Sequence, residues 1–329
     1  MSALADSGSL HFKILPGESL AEGLRRILVE QADRAISILT APGADLDERI
    51  HDARVCFKRI RSVLRLLRRE IGEYVFLREN REYRDAGREL SKVRDTAAMA
   101  ETAARLAPKA PNEHLRNLIE SLRLGFVMAD RKESNVKAKV MSEVASAVLV
   151  ARERIESLPI TAEGYSILSS GLGRSYGQGR KRFHAAKKLP TMEHLHEWRK
   201  AVKHLRYQMT VISPIEPVAI KRIVKRSKKL GDFLSDYHDL ALVHRTSVEM
   251  NKGAPCPEDL GELQSLIDRR LHKIAKQALG LGSRVYAAKP KEFMSQLRSY
   301  QHEAALPPAH SIRRVRTEIY ESAIAQDLR

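Results

Sequence analysis

Apolar residues recur at intervals of three and four along almost the whole chain, and runs of strict apolar–polar alternation are absent. That periodicity predicts an all-α protein. Prolines and glycines mark where the helices stop. The first helix is expected to follow Pro16-Gly17 and run to Thr40, before Ala41-Pro42-Gly43. The second starts near Asp45, three residues ahead of Glu48 in a capping-box arrangement, and ends near Gly72. A third covers about 76–107 and a long fourth about 112–157, up to Pro159. The pattern then starts again: about 161–188; a helix after Pro190 with Thr191 as N-cap, ending before Pro214; about 217–251; and about 258–302, with Gly280, Gly282 and Pro290 as places for a break. Eight helices in two sets of four predict two four-helix bundles, residues 1–158 and 159–303, followed by a tail, 304–329, beyond a double proline.

Internal similarity sharpens this division. Residues 51–61, HDARVCFKRIR, and 196–206, HEWRKAVKHLR, both obey H-x-x-R-x-x-x-K-x-x-R. His51, Arg54, Lys58 and Arg61 thus match His196, Arg199, Lys203 and Arg206 without a gap. Farther on, Leu90-Ser91-Lys92-Val93-Arg94-Asp95 aligns with Leu234-Ser235-Asp236-Tyr237-His238-Asp239, 44 residues after the first histidine and 43 after the second. Two matches in the same order predict a tandem duplication, with the halves related by a pseudo-twofold axis.

On a helix, offsets of 0, 3, 7 and 10 fall within an arc of roughly 80°. The repeated cations therefore form one stripe, bordered by an apolar arc: Ala53, Phe57, Ile60, Leu64, Leu67 and Ile71 in the first copy, Trp198, Val202, Leu205, Met209 and Ile212 in the second. A solvated face usually mixes signs, but residues 53–69 carry Arg54, Lys58, Arg59, Arg61, Arg65, Arg68 and Arg69 with no acid. Lys221, Arg222, Lys225, Arg226, Lys228 and Lys229 make a second such run. Either run alone reads most simply as a wet surface. The duplicated spacing favours two matched helices lining a basic groove, because solvation does not require the same positions in both halves.

Composition supports an anionic partner. Lys and Arg outnumber Asp and Glu by 58 to 41, a net charge of +17 and a pI near 9.9. Aromatic residues make up only 5%, which argues against single-stranded nucleic acid read by base stacking. Two isolated cysteines and the lack of a leader-like amino terminus or an 18-residue apolar run lead us to expect a soluble, cytoplasmic protein in a reducing setting, with no membrane partner. Oligomeric state is not readable.

Other signals are weaker. His51 and His196, near helix starts, are suited either to donating a neutral imidazole N–H to an anion or to packing at the helix end. Asp95 and Asp239 read as structural, holding an arginine of the stripe or capping a neighbouring helix. No acidic pair or metal set recurs in both copies, so neither a catalytic group nor a metal or cofactor is expected. GLGRSYGQGRKR (171–182) departs from both nucleotide-loop patterns and reads as a helix whose small residues allow close approach; Arg174, Lys181 and Lys188 there either extend the groove or face water.

The two H-x-x-R-x-x-x-K-x-x-R copies, each followed by an Arg-Asp or His-Asp pair, together with RVYAAKPKEF (284–293), resemble the CHAD family, the conserved histidine α-helical domain, over roughly residues 10–303. The resemblance implies two pseudo-symmetric four-helix bundles with a basic groove between them, binding of long-chain inorganic polyphosphate and, in bacteria, recruitment to polyphosphate granules. Carried over, the lining positions are His51, Arg54, Lys58, Arg61 and Arg65, and His196, Arg199, Lys200, Lys203, Arg206 and Tyr207; Lys225 and Lys229 are added from the later basic run. Ser91 and Ser235 stand where members often have glycine, and His238 replaces a more usual arginine or apolar residue. No E-x-E-x-K motif of the triphosphate-hydrolysing partner domain occurs. The expected function is non-enzymatic polyphosphate binding. The alternatives are a nucleic-acid binder at low salt, or an enzyme or regulator of polyphosphate metabolism.

Overall fold

The computed structural model describes residues 12–43, 45–132, 134–161, 166–214, 217–250 and 257–303, so the expected tail lies outside the described residues. Among them there is no strand. Eleven α-helices follow in order: α1 Leu20–Thr40, α2 Leu46–Leu67, α3 Glu73–Lys92, α4 Asp95–Leu106, α5 Glu113–Lys132, α6 Ser134–Glu156, α7 Ser166–Lys188, α8 Met192–Val211, α9 Pro217–Met250, α10 Pro257–Val285 and α11 Pro290–Glu303. The protein is all-α.

The starts of these helices are written locally. Ser19 and Glu22 close a capping box on α1; the Asp45 carboxylate accepts from Glu48 N (2.9 Å) at α2; the Thr191 hydroxyl accepts from His194 N (3.2 Å) at α8. Three expectations need correction. The second helix ends at Leu67, because Leu67 O accepts from both Glu70 N and Ile71 N in a tightened last turn and Gly72, at φ +80°, reverses the chain. The third expected helix is two: α3 stops at Lys92, Arg94 N bonds back to Ser91 O, and α4 restarts with the Asp95 carboxylate in its first turn, where the helix dipole favours it. The stretch 112–157 is likewise divided, into α5 and α6. In the last region Gly280 and Gly282 stay inside α10 and the break falls before Pro290.

One core runs through both sequence halves. It joins Leu24, Ile27 and Phe57 to Trp198, Leu205, Leu234 and Tyr286, and every residue of the two apolar arcs is at least 95% buried. α1, α2, α3 and α6 pack together, as do α7, α8, α9 and α10. A second cluster crosses between the halves: Leu106, Leu115 and Ile119 of α4 and α5 meet Leu240, Leu263 and Ile267 of α9 and α10. The two sequence halves therefore share their hydrophobic interior.

α2 and α8, the helices bearing the repeated motif, touch directly, and α7 also lies on α2. The Gln208 amide donates to Ser62 O (3.0 Å). Ser62 Oγ donates its proton to Lys58 O (2.6 Å), so its 2.8 Å contact with His204 Nδ1 is an N–H donated by the imidazole, which fixes that tautomer. The glycine-rich segment is helical as expected: a Cβ on Gly171 would stand 2.5 Å from Leu66 Cα and O, and one on Gly179 would strike the Tyr286 ring.

Candidate functional site

The stripe residues of α2 and α8 face two adjoining cavities. The first, about 540 Å³, is walled by α2, α3, α7 and α8; the second, about 940 Å³, by α2, α4, α8 and α9. Arg54, Lys58, Ser91, His196, Arg199, Lys203 and Tyr207 line both, so four cations of the repeated motif stand at the junction. Their helical spacing turns the cations inward while the neighbouring apolar arc enters the core, and Trp198 backs α8 against Phe183 and Gly282.

Ten Lys or Arg side chains line the first cavity with one carboxylate, Glu197, which is already paired with Lys200 and Arg182 (3.4 Å). Arg61 and Arg65 share one neutral acceptor, Asn80 Oδ1, at 3.1 and 3.2 Å. Arg199 Nε donates to Ser235 Oγ (3.0 Å). Among the described residues the Arg54, Lys58 and Lys203 side chains have neither an ion pair nor a hydrogen bond. The second cavity is more mixed, with eight Lys or Arg, three histidines and the carboxylates of Asp95, Glu193, Asp232 and Asp239.

Confinement without a directly paired counter-charge shifts these groups. Burial, followed by repulsion from Arg199, brings Lys203 down to about 7. Lys58 is pushed well below the ordinary lysine value by burial and then by Lys203. Burial, reinforced by neighbouring guanidiniums, draws Arg54, Arg61 and Arg65 to about 10, so they stay charged at neutral pH. The cavities therefore hold more like charge than their surroundings neutralise, and an entering anion would relieve that repulsion.

The histidines are held neutral. His51 stands at the mouth of the second cavity with its outer edge exposed; burial of the rest, then Arg94 and Lys58, lower it to about 4. His196 Nδ1 meets His238 Nδ1 at 3.3 Å, and burial followed by Arg199 takes His238 to about 3. A neutral pair at this distance shares one proton, one ring donating and the other accepting. His238 stood out in the sequence only as a departure before the aspartate; its alignment with the Arg94 position was the available signal.

The remaining sequence-predicted residues divide. Lys200 lines the first cavity but is exposed and paired with Glu197. Arg206 lines the second, over the Tyr207 ring at 5.5 Å, and Tyr207 packs edge-on against Phe12. Lys225 and Lys229 line neither: both are exposed on α9, with Lys229 5.8 Å from the Phe233 ring centre. Asp95 and Asp239 line the second cavity, yet among the described residues neither bonds an arginine; the anchors of the stripe are Asn80 and Ser235 instead. Arg174, Lys181 and Lys188 are exposed, and α7 presents Ser175, Gln178 and Arg182 to the first cavity in their place. Arg84 and Arg88 of α3 also line it; the acids interleaved in EYRDAGRE hid them from a search for unmixed basic runs.

Among the described residues no three His, Cys, Asp or Glu side chains are grouped to hold a metal ion, and no helix is long and apolar enough to cross a membrane. A sequence model described as the CHAD domain matches residues 24–246. The fold is similar to the crystal structure of the CHAD domain from the plant Ricinus communis: TM-score 0.52 at 18% identity, covering 84% of this chain and 93% of that one. No curated protein matches.

Proposed function

The chain belongs to the CHAD domain family, and from that premise we propose that its two adjoining cavities bind inorganic polyphosphate. One observation carries the reading: ten Lys or Arg side chains face one cavity whose single carboxylate is already engaged. A polymer with a charge on every phosphate and no base to be read needs cations about one helical turn apart, roughly 5.4 Å, and the stripes of α2 and α8 supply that interval. Arg54, Arg61, Arg65 and Arg199 offer planar forks to phosphate oxygens, whereas Lys58 and Lys203 act as point charges at the junction. Counterion release makes the affinity fall as salt rises. We assign no catalytic step; the role is capture, in the cytoplasm and at polyphosphate granules.

The test is calorimetric titration of polyphosphate against RNA of matched charge at two salt concentrations, with the wild type and the Arg199→Glu/Arg206→Glu variant. Polyphosphate is expected to bind in preference to RNA, and the double reversal to weaken it by at least a hundredfold while the helical circular dichroism is kept. Unchanged binding by a folded variant refutes the assignment. Equal or tighter binding of RNA replaces polyphosphate with nucleic acid as the ligand.

A further inference from the structure

Two amines at the junction of the cavities are left without a partner. Lys58 and Lys203 hold the same place in the two copies of the motif, and each lines both cavities. Among the described residues neither amine has an ion pair or a hydrogen bond. Each feels the other's charge, directly or through the arginines around them. Arg199 and Arg206, one turn before and one turn after on α8, and Arg54 on α2 press on Lys203, with only Asp239 of α9 opposing them. Arg54, Arg199 and Arg94 do the same to Lys58. The neighbouring His51, His196 and His238 are lowered by burial and bring no charge at neutral pH.

An unprotonated amine is a nucleophile, and an ammonium is not. At pH 7.5 an amine at the ordinary 10.5 is unprotonated about one part in a thousand, whereas Lys203, brought to about 7, is mostly so. Nucleophilicity falls with basicity and takes back part of this gain, leaving roughly tenfold or more. The guanidiniums make the place more than a reactive lysine. Arg54 and Arg199 line the same two cavities and offer planar forks to a phosphate group. A reagent that joins a phosphate to an acyl group would be held by its anionic end, with its electrophilic carbon among the amines.

We infer that the Lys58–Lys203 pair is a site of covalent acylation by small acyl phosphates, and that the modification turns anion binding off. The amine nitrogen attacks the acyl carbon and forms the amide bond. The bond from that carbon to the bridging oxygen breaks, inorganic phosphate departs with the electron pair, and the nitrogen gives its extra proton to solvent. The amide carries no charge and fills part of the junction, so a phosphate chain arriving later meets fewer cations and less room. That consequence rests on the reading of the cavities as a polyphosphate site; the acylation itself needs only a pocket that holds phosphate.

The probe is acetyl phosphate, incubated with the full chain at pH 7.5 and followed residue by residue by peptide mass spectrometry. Lys58 or Lys203 should be acetylated about tenfold faster, or more, than the exposed Lys109 and Lys276. The rate at the pair should level off by about pH 8, and added inorganic phosphate should slow it. Equal rates at all four lysines overturn the proposal. So does a rate at the pair that keeps climbing to about pH 9.5, or a preference that inorganic phosphate leaves untouched, because the reagent is then not held by its phosphate. Long linear polyphosphate separates this inference from the reading of the cavities: it should block acetylation of the pair and bind the acetylated protein about tenfold more weakly, or worse. Preferential acetylation with no polyphosphate binding removes the cavity reading and leaves the acylation site standing. Polyphosphate binding to a protein whose pair does not react does the reverse.

Discussion

Lys203 gives the sharpest test of the site's electrostatics. Its amine is enclosed at the junction of the cavities, with Arg199, Arg206 and Arg54 near it and only Asp239 in opposition. The unfolded chain keeps this proton up to the ordinary 10.5, but the empty folded protein only to about 7. Below pH 7 both states are protonated and the fold bears the whole penalty; between 7 and 10.5 the unfolded state holds a proton the folded one lacks, so stability climbs with pH. At about 1.4 kcal/mol per pH unit, the charged amine destabilises the empty protein by on the order of 5 kcal/mol. Lys203→Met keeps the stem and removes the charge. In chloride buffer free of phosphate and sulfate, scanning calorimetry at pH 6 should place the variant's unfolding midpoint above the wild type by roughly 5–10 °C. The gap should narrow as pH approaches 9.5, and polyphosphate should raise the wild-type midpoint much more than the variant's. A variant no more stable than wild type at pH 6, or a gap that stays constant with pH, refutes the argument.

Three further outcomes are expected. Asn80→Asp should set a carboxylate against Arg61 and Arg65, stabilising the empty protein by about 1 kcal/mol in chemical denaturation while weakening polyphosphate binding. His238 should remain a neutral imidazole down to pH 5 in the ligand-free protein, and His196 should titrate below the ordinary 6.5, since burial lowers both; NMR titration of either ring near 6.5 would contradict the enclosure described. Gly171→Ala should destabilise by about 2 kcal/mol or more through its clash with Leu66 backbone, whereas Gly280→Ala, in an open helical position, should stabilise by up to about 1 kcal/mol.

The apolar arcs were readable because period and burial are linked: Ala53, Phe57 and Ile60, and Trp198, Val202 and Leu205, all reached the core. The same periodicity turned Arg54, Lys58, Arg199 and Lys203 to one side, but which of the aligned cations are enclosed depends on contacts between helices. Lys225 shares an arc with Asp239, yet lies beyond the cavity because it sits near the start of α9, outside the span that α8 faces with the repeated motif. The His196–His238 contact likewise needs the antiparallel register of two helices, which no local pattern encodes. The break before Asp95 was hidden because neither proline nor glycine marks it; the aligned Asp239 sits inside one continuous helix.

The contact of Gly171 with Leu66 sets main chain against main chain, joining the helix that carries Arg182 to the one that carries Arg61 and Arg65. Side chains can rotate aside to admit a bulkier guest; a backbone wall has no rotamers to yield. The spacing of these two walls is therefore a fixed gauge. A ligand too thick for the first cavity would have to pry α7 from α2 and open the core that both helices share.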